Sequence, residues 1–389
     1  MKENEIPSGL NRIGQLGLGA GVLGIVGLLA GFGMAGKAQF FQSYIFAFVF
    51  WVGMSLGCFA FTILHHATTS KWALPVIRLF EAGNKTLPIM AIAFLPLLAG
   101  LSDLYPWANP KYAHFAVTIH RHGWMNPGFW TARAVIFFAF WIGMSTKLNK
   151  MAKQQDETGD LSLIQKRSCW AAPSLVFHVL FVTFAITDWV MSLHPSWFST
   201  IYGVLFMVGQ CLAAMSLITM IVTFSAKTDA YKDIVTPKLT RDLGNFLLTF
   251  TMLWAYMSLS QFLIIWSGNQ PDEIEYFVTR NTGPLLIIGT LVLVGQFFGP
   301  FVVLLSGKTK RRPHILAKVA LWIFIIRILD VFWVVKPMFQ HEGLPLHWMD
   351  IAAFIGLGGL WMFFFVNNVK QNTLFPLKDP RLQEAMNHA

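Results

Sequence analysis

This sequence predicts an all-α integral membrane protein of about ten transmembrane helices. Three observations predict it: charge is scarce, apolar residues come in long runs, and basic residues are sorted to alternate loops. Only 12% of the 389 residues are charged, 55% are hydrophobic, and mean hydropathy is +0.55. A soluble globular chain carries about 25% charge, so this one lacks the polar surface to cover a water-exposed fold. Helices are the choice because backbone groups in lipid have to be satisfied within their own segment. The short alternating segments of a β-barrel do not occur.

The runs lie at about 13–35, 41–65, 86–104, 127–146, 169–191, 198–225, 243–266, 284–306, 315–335 and 347–367, near the roughly 20 residues that cross a bilayer core as a helix. The first is longer than a signal-peptide core and no small-residue cleavage site follows, so it reads as a retained helix. Its spaced glycines, Gly17 with Gly21 and Gly27 with Gly31, suit either close helix packing or a lipid-facing helix that tolerates small residues. The many Trp and Phe read as lipid-facing or belt residues. His65 and His66 read as interfacial, and Lys318 as a snorkelling side chain. The segments 66–85, 105–126, 147–168 and 226–242 read as loops, none long enough for a separate catalytic domain.

Of the 29 Lys and Arg, 21 fall on the side of the N-terminal tail and five on the other, with Arg133, Lys318 and Arg327 inside spans. The positive-inside rule then puts both termini in the cytoplasm. The net charge of +10 is thereby explained without a nucleic-acid partner. Cys58, Cys169 and Cys211 are isolated and read as buried, inert thiols. With no C-x-x-C or C-x-x-C-H, the chain offers no iron–sulfur ligand set and no attached haem. No Gly-rich phosphate loop, nucleophile elbow or H-E-x-x-H motif occurs, so neither catalytic nor metal residues are assigned.

Ionisable residues in spans are costly and face a bundle interior or a wet cavity. Here the polar residues in the spans gather toward the non-cytoplasmic side: Asp103, Arg133 and Asp188 from three successive helices, Tyr256 and Gln261 in span seven, Arg327 and Asp330 in span nine, His347 and Asp350 opening span ten. His178 lies nearer mid-span. Arg327/Asp330 and His347/Asp350 are each three apart and share a helix face. Such a set passes protons or holds a polar quinone headgroup. It equally suits pairs that pin helices together, and for Asp188 a cap on the turn into His194-Pro195. Outside, Tyr105, Trp107, His120, His122 and Trp124 form a candidate partner platform, and the three acids of "NQPDEIEYF" a surface for a basic partner.

The stretches "DLYPWA" (103–108), "TDWVMSLHPSWFSTIYG" (187–203), "WAYMSLSQFLIIWSGNQPDEI" (254–274) and "RILDVFWVVKP" (327–337) together resemble the ActF subunit family of bacterial alternative complex III. That family lies within the NrfD-like, polysulfide-reductase membrane-anchor superfamily. The resemblance runs from about residue 40 to the C-terminus and is carried by the combination, not by any single piece. It implies one membrane domain, 1–389, with four-helix bundles at 41–191 and 198–335 and peripheral helices at 13–35 and 347–367. It implies the plasma membrane of a bacterium and a quinol-oxidising respiratory complex, usually for menaquinol. The partners it implies are an ActC-like sister membrane subunit, an iron–sulfur subunit and a multihaem cytochrome c subunit, with the haem c and the clusters held by those partners. This chain is then scaffold and candidate proton path, with Asp103, Arg133 and Asp188 as a relay. A secondary transporter and an inert anchor are the competing readings; broken helices around a midplane site would favour the transporter.

Overall fold

The computed structural model describes residues 8–112, 123–194, 197–339 and 343–387. The chain is an all-α membrane protein, with no strand among the described residues. Its helices are α1 (Ser8–Ala35), α2 (Lys37–Thr68), α3 (Ile77–Asn84), α4 (Leu87–Ala99), α5 (Pro127–Thr158), α6 (Ser162–Trp189), α7 (Tyr202–Phe224) and α8 (Pro237–Gly268), then α9 (Pro271–Arg280), α10 (Gly283–Leu293), α11 (Gly299–Leu305), α12 (Pro313–Val335), α13 (Trp348–Lys370) and α14 (Pro380–Asn387). Among the described residues nine helical segments are long and apolar enough to cross a membrane, α3–α4 and α10–α11 each counting as one. The 23-residue α12 matches the others in length but carries Lys318, Arg327 and Asp330.

Two segments expected as loops are helical. Residues 77–84 of the expected 66–85 loop form α3, because Arg78 and Glu81 satisfy each other inside the fold. Most of 147–168 belongs to α5 and α6, whose junction is set by Gly159 at φ 73°, the left-handed C-cap that glycine adopts without strain. The 32 residues of α5 run about 48 Å, beyond the roughly 30 Å hydrocarbon core, so basic residues at its end reach water.

α2, α3–α4, α5 and α6 pack in a closed ring, and α7, α8, α10–α11 and α12 pack in a second. α2 touches both rings and is buried along most of its length. It meets α7 where Gly57 lies against the carbonyl of Gln210. α1 packs on α13, which seats on α2 and α3. The α1 glycines resolve toward close packing: a Cβ on Gly17 would lie 3.0 Å from the Gly359 carbonyl oxygen, and one on Gly21 2.9 Å from the Leu360 nitrogen. Gly27 has only the Ala352 methyl within reach, at 3.7 Å. Gly359→Leu is therefore expected to detach α1 and speed tryptic cleavage at Lys37. Gly33→Leu, with nothing within 4 Å, is expected to leave cleavage unchanged.

The aromatic residues are not chiefly a belt. Trp130, Trp141, Trp189, Trp197 and Trp361 are essentially fully buried. Phe94 stacks on Trp130 at 5.2 Å and Phe138 on Trp189 at 5.7 Å. Large flat rings fill the space between widely set helices and hold it by edge and offset contacts. Cys58 and Cys211 are buried, but Cys169 is exposed on α6.

Candidate functional site

The first ring holds a buried ion network at each end. At one end, Arg133 of α5 grips Asp188 of α6 with two parallel bonds, Nε to Oδ2 at 2.6 Å and NH2 to Oδ1 at 2.9 Å. Both side chains are almost wholly buried. The third guanidinium nitrogen donates to the Trp124 carbonyl at 2.9 Å, and the guanidinium lies over the Trp124 and Phe129 rings at 4.3 and 4.7 Å. α6 closes around this pair: the Asp188 carbonyl accepts from Trp130 Nε1 and Ser192 Oγ, and the Trp189 carbonyl from the Tyr105 hydroxyl. A carboxylate ends this apolar helix because an arginine on its neighbour requires one. His194 Nδ1 then accepts from the Trp197 backbone at 3.1 Å and shapes the turn. Pro195 lies outside the described residues.

Asp103 does not join that pair. It sits 3.2 Å from Lys37, partly exposed, where the chain has already left α4. Tyr256 does not face an interior either: it is 68% exposed, while Gln261 is buried. Five residues turn a helix by about 500°, so the two point about 140° apart. His347 and Asp350 form a capping box on α13 rather than a side-chain acid–base pair: Asp350 Oδ2 accepts from the His347 backbone at 2.8 Å, and the Met349 backbone donates to His347 Nδ1 at 3.3 Å. The partner of Asp350 is Lys336, at 2.8 Å. Burial lowers the Lys336 pKa, and the Asp350 charge opposes that shift. Arg327 and Asp330 are paired and buried in the second ring, the guanidinium against the Cα face of Gly209. His178 is buried beside Phe59 and Trp141, and neither ring nitrogen has a hydrogen-bond partner among the described residues.

The network at the opposite end was expected as interface and loop. His65 and His66, in the last turn of α2, are buried between helices. His66 Nε2 lies 3.6 Å from Glu81 Oε1. Arg78 donates to Glu81 at 2.5 Å and through NH2 to both Asp156 oxygens at 2.6 and 2.5 Å. Arg167 donates to Gln155. The C-terminal segment closes over this end: Arg381 grips Asp379 at 2.9 and 2.6 Å and donates to the Thr69 carbonyl at 3.0 Å. Burial raises the Asp379 pKa, but the bonds and charge of Arg381 more than offset it and hold it below the usual carboxylate range. The sequence signal was present in the Arg78/Glu81 spacing, the same three-residue pairing that marks Arg327/Asp330. From Glu81 inward a polar column continues: Asn84 donates to Thr62 at 2.8 Å and accepts from Ser145 at 2.7 Å and Asn149 at 2.8 Å.

Arg280, one of the five basic residues on the side opposite the N-terminal tail, is wholly buried. It donates to the carbonyls of Tyr276, Trp333 and Val334 and so caps the end of α12, over the Tyr276 ring at 3.6 Å. Burial lowers its pKa. The acids Asp272 and Glu273 occupy the first turn of α9, where the helix dipole favours them. Of the expected platform, Tyr105 is buried, Trp107 donates to Ser192, Trp124 is exposed, and His120 and His122 lie outside the described residues. An open cavity of about 230 Å³ lies beside Trp124, lined also by Met125, Thr187, Met191, Ser192, Trp197 and Phe198. Among the described residues no three His, Cys, Asp or Glu gather as a metal site. No protein-family model matches the chain, and no curated protein matches it.

Proposed function

We propose that this chain is a membrane subunit of a quinol-oxidising electron-transfer complex, serving as scaffold and as a proton path through its first helix ring. The observation that carries the reading is the placement of two buried ion networks, Arg133–Asp188 and His66–Glu81–Arg78–Asp156, at opposite ends of one ring, with His178 between them. At the Glu81 end, His65 Nδ1 and Gln155 Nε2 have no hydrogen-bond partner among the described residues. Such buried atoms are where ordered water, the usual proton carrier, enters. An aromatic layer of Phe94, Phe138, Trp141 and Trp189 packs along the route. It keeps the two networks from forming one open water wire. Electron transfer in a neighbouring subunit changes the local potential and with it the carboxylate pKa values. By the charge rule the Glu81 end faces the cytoplasm. The cavity at Trp124 is the candidate place for a quinone ring such as that of menaquinone, small beside the usual 300 Å³ or more of ligand pockets.

The first test is purification of the tagged protein in mild detergent, with haem and iron spectra and identification of co-eluting chains. A multihaem cytochrome c and an iron–sulfur subunit with quinol-oxidising activity are expected; a colourless protein eluting alone ends the reading. The second is His178→Leu. Its caged imidazole has no hydrogen bond to lose among the described residues, so assembly and electron transfer are expected to persist while protons released per electron fall. Full proton release would remove His178 from the path.

One observation favours a transporter instead. The α3–α4 segment breaks at Lys85–Thr86, and α10–α11 is interrupted by the π-helical turn Val294–Phe298. Interrupted spans are where transporters place binding sites. Solute uptake by the purified chain in vesicles would decide for it.

A further inference from the structure

The second ring presents a basic corner that the proton-path reading does not use. The link between α11 and α12 carries Lys308, Lys310, Arg311 and Arg312 in five positions. It packs against the start of α8, which adds Lys238 and Arg241. Lys310 is locked in place: its stem crosses Gly244, and its Nζ donates to the neutral Asn245 Oδ1 at 2.6 Å. Burial and the nearby Arg241 charge lower its pKa. Asp242, beside Lys238 and Arg241, is the carboxylate of this corner. Lys308, Lys310, Arg311, Arg312 and Arg241 form no ion pair among the described residues. Like charges held this close repel, and a bound anion relieves the repulsion.

The surroundings say what kind of anion. Lys308, Arg311 and Arg312 are exposed, and the link that bears them is too short to leave the membrane surface. The adjoining helices expose apolar side chains: Val302 and Leu305 on α11, Leu321 and Trp322 on α12. Cations at the headgroup level above an apolar wall match a molecule with a phosphate at one end and acyl chains at the other.

We propose that this corner binds the phosphate headgroup of an anionic phospholipid, with its chains along α11 and α12. The test is native mass spectrometry and thermal unfolding of the full chain, delipidated and then supplied with phosphatidylglycerol, phosphatidylcholine or inorganic phosphate. The probe variant is Lys308→Gln/Arg311→Gln/Arg312→Gln, which spares the packed Lys310. The control is Lys150→Gln/Lys153→Gln/Lys166→Gln, which removes equal charge elsewhere on the same side. Phosphatidylglycerol is expected to bind and raise the unfolding temperature, phosphatidylcholine and phosphate to do neither, and the probe variant to bind phosphatidylglycerol about a hundred-fold more weakly than the control. Equal weakening in both variants, unchanged binding in the probe variant, or equal protection by phosphate alone would overturn the proposal.

Discussion

Asp188→Leu is expected to destabilise the protein by about 3–5 kcal/mol, because it leaves the Arg133 guanidinium charged and unpaired inside the first ring. The two bonds at 2.6 and 2.9 Å vanish, and the remaining partners are a carbonyl and two aromatic faces. Arg133→Met should do nearly equal damage, since the carboxylate is then orphaned. The double variant Arg133→Met/Asp188→Leu should recover most of the loss, as apolar pairs replace buried ion pairs at little cost. Thermal unfolding in detergent of all four proteins gives the cycle. Under the proposed function, a double variant that folds but no longer releases protons on quinol oxidation would place the pair in the path. If proton release is unchanged, the pair is a helix fastener and no more.

Glu81→Leu is the second large effect, again about 3–5 kcal/mol, but without a simple rescue. Glu81 is shared by Arg78 at 2.5 Å and His66 at 3.6 Å, and Arg78 is committed to Asp156 as well. Removing Arg78 in the same chain would orphan Asp156. The double variant Glu81→Leu/Arg78→Met is therefore expected to remain unstable, in contrast to the pair at the other end. Recovery to wild-type unfolding temperature would show that Asp156 is solvated rather than dependent on Arg78.

How much of this was legible beforehand depends on which physical quantity the residue type reports. The scarcity of charge and the long apolar runs determine a helical membrane protein, because lipid leaves the backbone no other way to satisfy itself. Spacing alone identified Arg327 with Asp330 as neighbours on one face, and they are paired. The rest needed positions in space. Asp103, Arg133 and Asp188 come from successive spans, but which of them meet depends on how far each helix runs. Asp103 falls beyond the end of α4 and takes Lys37 instead. Tyr256 and Gln261 share a span, but the helix turn exposes the first and buries the second. Arg78, Glu81, His65 and His66 read as surface because charge next to a span usually is. Only packing of α2, α3, α5 and α6 brings the opposite charges together and lets the ring close over them. The sequence by itself determined the solvent this protein folds in; it suggested ten spans, and among the described residues nine helical segments are long and apolar enough to cross, α12 being set apart by its three charges. Tertiary structure decided which buried charges found partners, because the pairing of ions at membrane depth is set by distances of a few ångströms between helices that are far apart along the chain.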